Sequence, residues 1–152
     1  MKSSSEKDQS SGRGPLSVFV DANTLVSGLL FEGNEALLLK LGAVGACRLF
    51  TTLRVMTEVA QTLRAKDFRF TEDDIASLLS LAHRSVRVRE NPTEFDLKRH
   101  YHRLNDKKDV HVVAAFEKLK CDVLVTGDKE LLAKVPNATS TREVLKMILN
   151  HE

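Results

Sequence analysis

The chain has 152 residues, of which 42% are hydrophobic and 29% charged, and its formal net charge is +2 at pH 7. This length allows one domain of ordinary globular composition, which buries about 68–70% of its unfolded surface and needs no staple. No apolar run approaches the ~20 residues that span a bilayer, the start lacks an apolar secretory core, and so small a net charge does not by itself imply a nucleic-acid partner.

The first 15 residues are rich in Ser, Gly and charged residues and contain almost nothing apolar. Such a segment cannot offset its ordering entropy, so residues 1–15 are predicted to be a disordered tail or a cloning remnant, followed by one domain over 16–152. Cys47 and Cys121 stand far apart in apolar contexts without metal-ligand spacing. This favours two buried thiols in a reducing cytoplasm over a disulfide.

Hydrophobic periodicity predicts alternating strands and helices along the rest of the chain. In chain order they are a strand at 16–20, a helix at 35–41, a strand at 47–50, helices at 52–63 and 71–82, a strand at 85–88, a helix at 109–119, a strand at 122–126, a short helix after Asp128 and a last helix from 140 to about 149. Asn34 is predicted to cap a helix, and the pairs Thr71 with Asp74 and Ser140 with Glu143 resemble capping boxes. The polar stretch 91–108 predicts only one short helix.

Strands that alternate with helices predict a mainly parallel sheet covered on both faces. Right-handed crossovers would place the carboxyl ends of the parallel strands along one edge, where ligands of open α/β sheets bind. Asp21 and Asp128 each follow a predicted strand. Both acids are therefore expected at that edge.

Four carboxylates can converge there: Asp21, Glu58, Asp109 and Asp128. Singly, the three aspartates can be helix caps and Glu58 can be a solvated surface residue. Together they repel, so their pKa values rise unless a cation neutralises them. Oxygen ligands without His or Cys suit Mg²⁺ or Mn²⁺, which activate water and stabilise a phosphoryl transition state. Spacing alone does not select phosphodiester hydrolysis over phosphatase chemistry.

Four motifs resemble those of the PIN domain family, in the order that the family has them. They are Val18-Phe-Val-Asp21-Ala-Asn23-Thr-Leu-Val-Ser27, Glu58 in a helix after the second strand, Asp109-Val-His-Val-Val-Ala-Ala-Phe116, and Leu124-Val-Thr126-Gly127-Asp128-Lys-Glu-Leu-Leu132. The match covers about Leu16 to Leu149, and the first and fourth motifs are the most specific. Within the family the chain most resembles the VapC-like toxins of toxin–antitoxin systems.

This resemblance implies a PIN-like, Rossmann-like three-layer α/β/α fold with a mainly parallel five-stranded sheet. It implies that Mg²⁺ or Mn²⁺ is held by Asp21, Asp109 and Asp128, with Glu58 completing the acidic pocket. The implied activity is endonucleolytic hydrolysis of single-stranded RNA. A homodimer in the cytoplasm, and inhibition by a cognate antitoxin protein, are further implications.

Other residues near the acids are predicted to support them. Asn23 and Thr126 are candidates to orient carboxylates or substrate, although they can equally be turn and strand-end hydrogen bonders. Asp106 is a candidate supporting acid, because relatives of the subgroup often carry Asp-Pro-x-Asp where this chain has Asp106-Lys-Lys-Asp109.

A basic cluster leads into Asp109 and is a candidate to hold RNA phosphates, although a solvated polar loop explains the same residues. Its members are Lys98, Arg99, His100, His102, Arg103, Lys107 and Lys108. Tyr101 is a candidate to stack on a base, and Arg54 and Arg64 to add to the rim of the site.

Two alternative functions remain open on the sequence. Asp21-Ala-Asn23-Thr24 approaches the Asp-x-Asp-x-Thr motif of haloacid-dehalogenase-type phosphatases, but Asn23 cannot protonate a leaving group, and Glu58 and Asp109 would have no role. A catalytically inactive PIN-fold module that binds RNA or a protein partner would keep the same fold.

Overall fold

A computed structural model describes residues 14–150, in which one sheet of five parallel strands is covered by helices in a three-layer α/β/α arrangement. The strands are β1 (Ser17–Val20), β2 (Arg48–Thr52), β3 (Val86–Arg89), β4 (Val123–Val125) and β5 (Ala138–Thr139). Their order across the sheet is β3-β2-β1-β4-β5. The predicted fold class is therefore confirmed.

The helices of the described residues alternate with these strands. They are α1 (Ala22–Leu30), α2 (Asn34–Ala43), α3 (Leu53–Leu63), α4 (Glu72–Ser85), α5 (Glu94–His100), α6 (Val110–Leu119), α7 (Lys129–Lys134) and α8 (Thr141–Leu149), with 3₁₀ turns at Tyr101–Arg103 and Lys107–Asp109. None of the helices within 14–150 is both long and apolar enough to cross a bilayer.

Helix starts show which local predictions were right. The box of Thr71 and Asp74 is made in both directions, at 3.0 and 2.9 Å. Asn34 does not cap α2, because Gly33 occupies the cap position and no side chain bonds there. Ser140 caps α8 at 3.2 Å, but the carboxylate of Glu143 contacts Lys146 instead of completing a box.

The core lies on both sides of the central strand. Val18, Phe19 and Val20 of β1 are completely buried, as expected for a parallel strand covered on both faces. Cys47 and Cys121 are buried free thiols, as predicted. Burial raises their pKa values to about 11 and about 12, so both thiols stay protonated at neutral pH.

Strand register brings the first and fourth sequence motifs together. β1 pairs with β2 on one side and β4 on the other, and Val20 is the partner of Val125. Asp21 and Thr126, the next residues along each strand, are therefore neighbours at the carboxyl edge. From β1 the chain builds the sheet outward through β2 and β3, and it then continues on the other side of β1 with β4 and β5. The point between β1 and β4 where the direction of building changes is where α/β sheets of this kind bind ligands.

The predicted tail at 1–15 lies almost entirely outside the described residues. Pro15, at its end, is exposed, and its carbonyl accepts a hydrogen bond from the guanidinium of Arg48 at 3.1 Å. The first strand starts at Ser17, and the domain boundary at residue 16 stays a prediction.

Candidate active site

Asp21 is fixed at the end of β1 by two hydrogen bonds. Its Oδ1 accepts from the backbone N–H of Thr24 at 3.0 Å, which caps α1, and its Oδ2 accepts from the hydroxyl of Thr126 at 2.7 Å. The residue is only 9% exposed. A carboxylate buried to this extent needs such partners to offset its lost hydration.

Thr126 joins the aspartates of the first and fourth motifs. Besides donating to Asp21, its hydroxyl oxygen accepts from the backbone N–H of Asp128 at 3.1 Å. Asp128 in turn caps α7, with Oδ1 accepting from the N–H of Leu131 at 2.9 Å. These are the contacts expected of a residue that orients carboxylates, which was the role predicted for Thr126; the role itself stays a prediction.

Asp109 behaves differently, although it also stands just before a helix. It occupies the cap position of α6, but its side chain makes no capping bond. Burial first, and then the charges of four other acids, raise its pKa to about 6; those acids, in order of effect, are Asp128, Asp106, Asp21 and Glu58. The acids separated along the chain are thus close enough to repel one another electrostatically.

Glu58 lies on α3 and is half-buried, near enough to Asp21 and Asp109 for their charges to interact. Burial is the main cause that raises its pKa, and Asp21 adds to it, while Arg54 opposes the rise. The Nε atom of Arg54 is 3.9 Å from its carboxylate. Arg54 therefore lies beside Glu58, whereas Arg64 is bound by Glu72 at 3.2 Å. A role for either arginine at the rim of the site stays a prediction.

His111 was not singled out from the sequence, but it contacts the site. Its Nε2 atom lies 3.0 Å from Oε2 of Glu58, and the residue is only 2% exposed. Despite that distance the contact lacks the alignment of a hydrogen bond, and both ring nitrogens are without a partner among the residues that the structure describes. The sequence did contain a sign of this position, because His111 is the one polar residue in the apolar run from Val110 to Phe116 of α6.

The loop before α6 is attached to α7 by a carboxylate that sequence reasoning also missed. Glu130 accepts from the backbone N–H groups of Asn105 at 2.6 Å and Asp106 at 3.1 Å. The bond from Asn105, followed by that from Lys134, lowers the pKa of Glu130 to about 2. Asp106 itself is exposed and caps the 3₁₀ turn by accepting from the N–H of Lys108 at 3.1 Å.

Part of the predicted basic cluster is used inside the protein. The ammonium group of Lys107 donates to the carbonyls of Tyr101 and Leu104, at 2.8 and 2.6 Å. Arg103 pairs with Glu117 at 2.7 Å. The members of the cluster whose cations stay exposed are Lys98, Arg99 and Lys108, and the imidazole of His102 is exposed as well.

The donor chemistry of the rim suits a hard divalent cation. Its oxygens belong to carboxylates, and Asp21 and Asp128 keep lone pairs beyond those used in their caps. Within residues 14–150, no three His, Cys, Asp or Glu side chains are already arranged as a complete metal-binding group. Burial is the main cause of the raised pKa of Asp109, and the charges of the other acids add to it; a cation between the carboxylates would offset both effects.

Fold and site together define a Rossmann-like α/β protein with carboxylates at the switch point of its sheet. Comparison with known proteins makes this more specific. The model of the PIN domain family matches residues 17–130, so the chain belongs to the PIN domain family. PIN domains are typically metal-dependent nucleases, and the family indicates a nuclease here. The phosphatase alternative gains no support from this match.

Solved structures have the same fold. PAE2754 from Pyrobaculum aerophilum superposes with a TM-score of 0.67 at 25% sequence identity, over 88% of this chain and 96% of that chain. The Mycobacterium tuberculosis toxin VapC20, which cleaves the sarcin–ricin loop, superposes with a TM-score of 0.53 at 18% identity, over 76% and 93%. At that identity the second likeness shows the fold alone. Comparison with curated proteins gave no significant match.

Proposed function

We propose that this protein is a ribonuclease that needs Mg²⁺ or Mn²⁺ and hydrolyses phosphodiester bonds within single-stranded RNA. The observation that carries the proposal is the position of Asp109, whose pKa is raised to about 6 by burial and by four surrounding acids. An uncompensated group of carboxylates at a ligand-binding sheet edge is a cost to the fold unless a cation binds there.

Asp21, Asp109 and Asp128 would hold the cation, with Glu58 completing the pocket. A bound divalent ion supplies an activated water and stabilises the charge that develops on the phosphoryl group. Thr126 keeps Asp21 in place through its 2.7 Å hydrogen bond. Asn23 is exposed in the first turn of α1, where its amide is available to the substrate.

The exposed cations of α5 and of the loop before α6 would guide the RNA to these acids. Lys98, Arg99 and Lys108 are exposed, and cations near a nuclease site attract the phosphate backbone. Tyr101 is 55% exposed; the ammonium group of Lys107 lies 4.3 Å from the centroid of its ring on one face, which leaves the other face available to stack on an unpaired base. Lys107 contributes by holding the loop, since its ammonium group is bonded to two backbone carbonyls.

The biological role that fits best is that of the toxin in a toxin–antitoxin pair. Its support is the VapC-like pattern of the four motifs and the fold shared with VapC20. On this proposal the protein acts in the cytoplasm as a homodimer and is inhibited by a cognate antitoxin.

The decisive experiment is cleavage of defined RNAs by the purified protein in Mg²⁺, Mn²⁺ or EDTA, with products mapped at nucleotide resolution. We expect internal cuts in single-stranded segments that disappear in EDTA and in the Asp128→Asn variant. Turnover of a small phosphate ester with intact RNA would instead support a phosphatase. Thermal stabilisation by Mn²⁺ without cleavage of any RNA would support a binding module.

A further inference from the structure

A cavity with a volume of about 310 Å³ opens beside the acids. The N-terminal halves of α1 and α2, the start of α8 and the segment after β4 form its walls. Thr126 and Gly127 belong to both sites, since Thr126 donates to Asp21 and Gly127 directly precedes Asp128. A ligand in this cavity would therefore touch the acidic site.

Two largely buried threonines belong to the lining. Thr24 and Thr141 are 6% and 7% exposed. The backbone N–H of Thr24 donates to the carboxylate of Asp21. The hydroxyl groups of Thr24 and Thr141, in contrast, make no hydrogen bond to any residue in the range 14–150. Neither hydroxyl oxygen is among the buried polar atoms that lack a partner within 14–150, so both are reached from the cavity and are available to a polar ligand.

Arg142 supplies the charge. It is exposed in the first turn of α8, and it forms no ion pair with the part of the chain that the structure describes. A guanidinium beside a capped helix start is a favourable environment for a phosphate group, which it can bind through two parallel N–H bonds. Glu35 lies in the same lining and can accept hydrogen bonds from ribose hydroxyl or base N–H groups.

We infer that this cavity binds one nucleotide of the single-stranded substrate next to the bond that is cut, with its phosphate against Arg142 and Thr141. The volume is at the lower end of the range of about 300–1,000 Å³ that ligand pockets have, which suits one nucleotide and excludes a duplex. One cation and one acid in the lining favour a whole nucleotide over a free phosphate ion. This inference rests on the proposed ribonuclease function.

The test compares Arg142→Gln with Arg84→Gln, an exposed site on α4 with the same change of charge. We expect Arg142→Gln to raise KM for a short single-stranded RNA about tenfold with little change in kcat, because a charge-assisted bond made throughout the reaction is lost. The slope of log affinity against log salt should fall by about 0.7, the value of one phosphate contact in single strands. Arg142→Lys should recover part of the affinity, and Arg84→Gln should behave as the unmodified protein.

A second variant tests the space itself. A Cβ atom at Gly127 would meet no protein atom within 4 Å, so Gly127→Ala should leave the melting temperature unchanged. It should nevertheless raise KM, because the added methyl group occupies ligand space.

The outcomes separate the two proposals. If the unmodified protein cuts RNA while Arg142→Gln keeps its KM and salt slope, this inference is wrong and the ribonuclease proposal stands. An equal loss in Arg84→Gln would also overturn it, because the effect would then come from net charge. If the unmodified protein neither binds nor cuts RNA, the proposed function fails first.

Discussion

The Nε2 atom of His111 lies 3.0 Å from Oε2 of Glu58 without forming a hydrogen bond within the described residues. Burial, with a smaller effect from Arg54, lowers the pKa of His111 to about 4, so the ring is neutral at pH 7. A buried polar group without a partner costs about 1–3 kcal/mol. A ring whose nitrogens lack a hydrogen bond within the described residues thus lies among the apolar side chains of α6.

We predict that His111→Leu raises the free energy of unfolding of the metal-free protein by about 1 kcal/mol, because leucine has no polar atoms to satisfy. Urea unfolding in EDTA measures the change. His83→Leu, at an exposed position of α4, is the control and should stay within about 0.5 kcal/mol of the unmodified protein. A clear loss of stability in His111→Leu would mean that the ring has a binding partner or packs better than a leucine.

Asp109 should make the stability of the metal-free protein depend on pH. Its folded pKa of about 6 lies above the usual aspartate value of 3.8, so the folded protein holds this proton more tightly than the unfolded chain does. The resulting stabilisation is complete below about pH 4 and is lost as the pH rises through about 6. Asp109→Asn removes this dependence, and we expect the variant to gain stability relative to the unmodified protein between these limits.

Urea unfolding in EDTA at about pH 4 and about pH 7 tests this expectation. The difference in unfolding free energy between Asp109→Asn and the unmodified protein should be larger at the higher pH. The same difference at both values would show that Asp109 is not perturbed by its neighbours.

The sequence predicted the sheet well, because four of its strands are apolar or alternating runs bounded by polar segments. Ala138–Thr139 was not found as a strand, since two residues carry no periodicity and only pairing with β4 defines them. The residues of α1 were not predicted as a helix from hydrophobic periodicity, because they directly follow the strand without a separating turn. Helix α2 has Gly33 rather than Asn34 at its cap position. This start depends on the φ of 147° at Gly33, which the sequence does not reveal.

The site was predictable to the extent that it depends on strand ends. Asp21 and Asp128 follow apolar strands, and parallel strands bring those ends to one edge. The role of Glu130 depends on its bonds to the backbone of Asn105 and Asp106, which lie 25 and 24 residues earlier in the chain. No sequence pattern indicates this contact between a helix and a loop. Lys107 was predicted to face the substrate, but its reach to nearby carbonyls could be known only from the loop conformation.

Neutralising Asp128 should abolish cleavage without unfolding the protein. We predict that Asp128→Asn lowers kcat by at least about 100-fold, since even residues that only orient metal ligands typically contribute 10- to 100-fold. Burial is the main cause of the raised pKa of Asp109, and the charge of Asp128 is the largest electrostatic contribution to it. This variant should therefore also lower the pKa of Asp109. Cleavage assays and an NMR titration of the Asp109 carboxyl measure the two effects.

Asp21→Asn should have the same effect on cleavage, and its amide oxygen can still accept from the N–H of Thr24. Glu143→Gln, which changes an exposed carboxylate that contacts Lys146 on α8, is the control for both variants. Unchanged cleavage in the double variant of Asp21 and Asp128 would rule out their assignment as metal ligands.

Glu130 should control the order of the loop that carries Asp106 and leads to Asp109. Glu130→Gln keeps one oxygen acceptor but replaces the other by an amide N–H₂ group, which cannot accept from a backbone N–H. We therefore expect faster hydrogen exchange at the N–H groups of Asn105 and Asp106, and weaker stabilisation by Mn²⁺, because Asp109 is then less well positioned. Hydrogen exchange followed by NMR and thermal unfolding with and without Mn²⁺ measure these effects.

The control is Lys134→Gln, which separates the effect of the ion pair from that of the loop bonds. It removes the ammonium group 2.6 Å from the carboxylate of Glu130 but leaves both bonds to the loop in place. Equal exchange rates in Glu130→Gln and the unmodified protein would show that the loop is held by other contacts, such as those of Lys107.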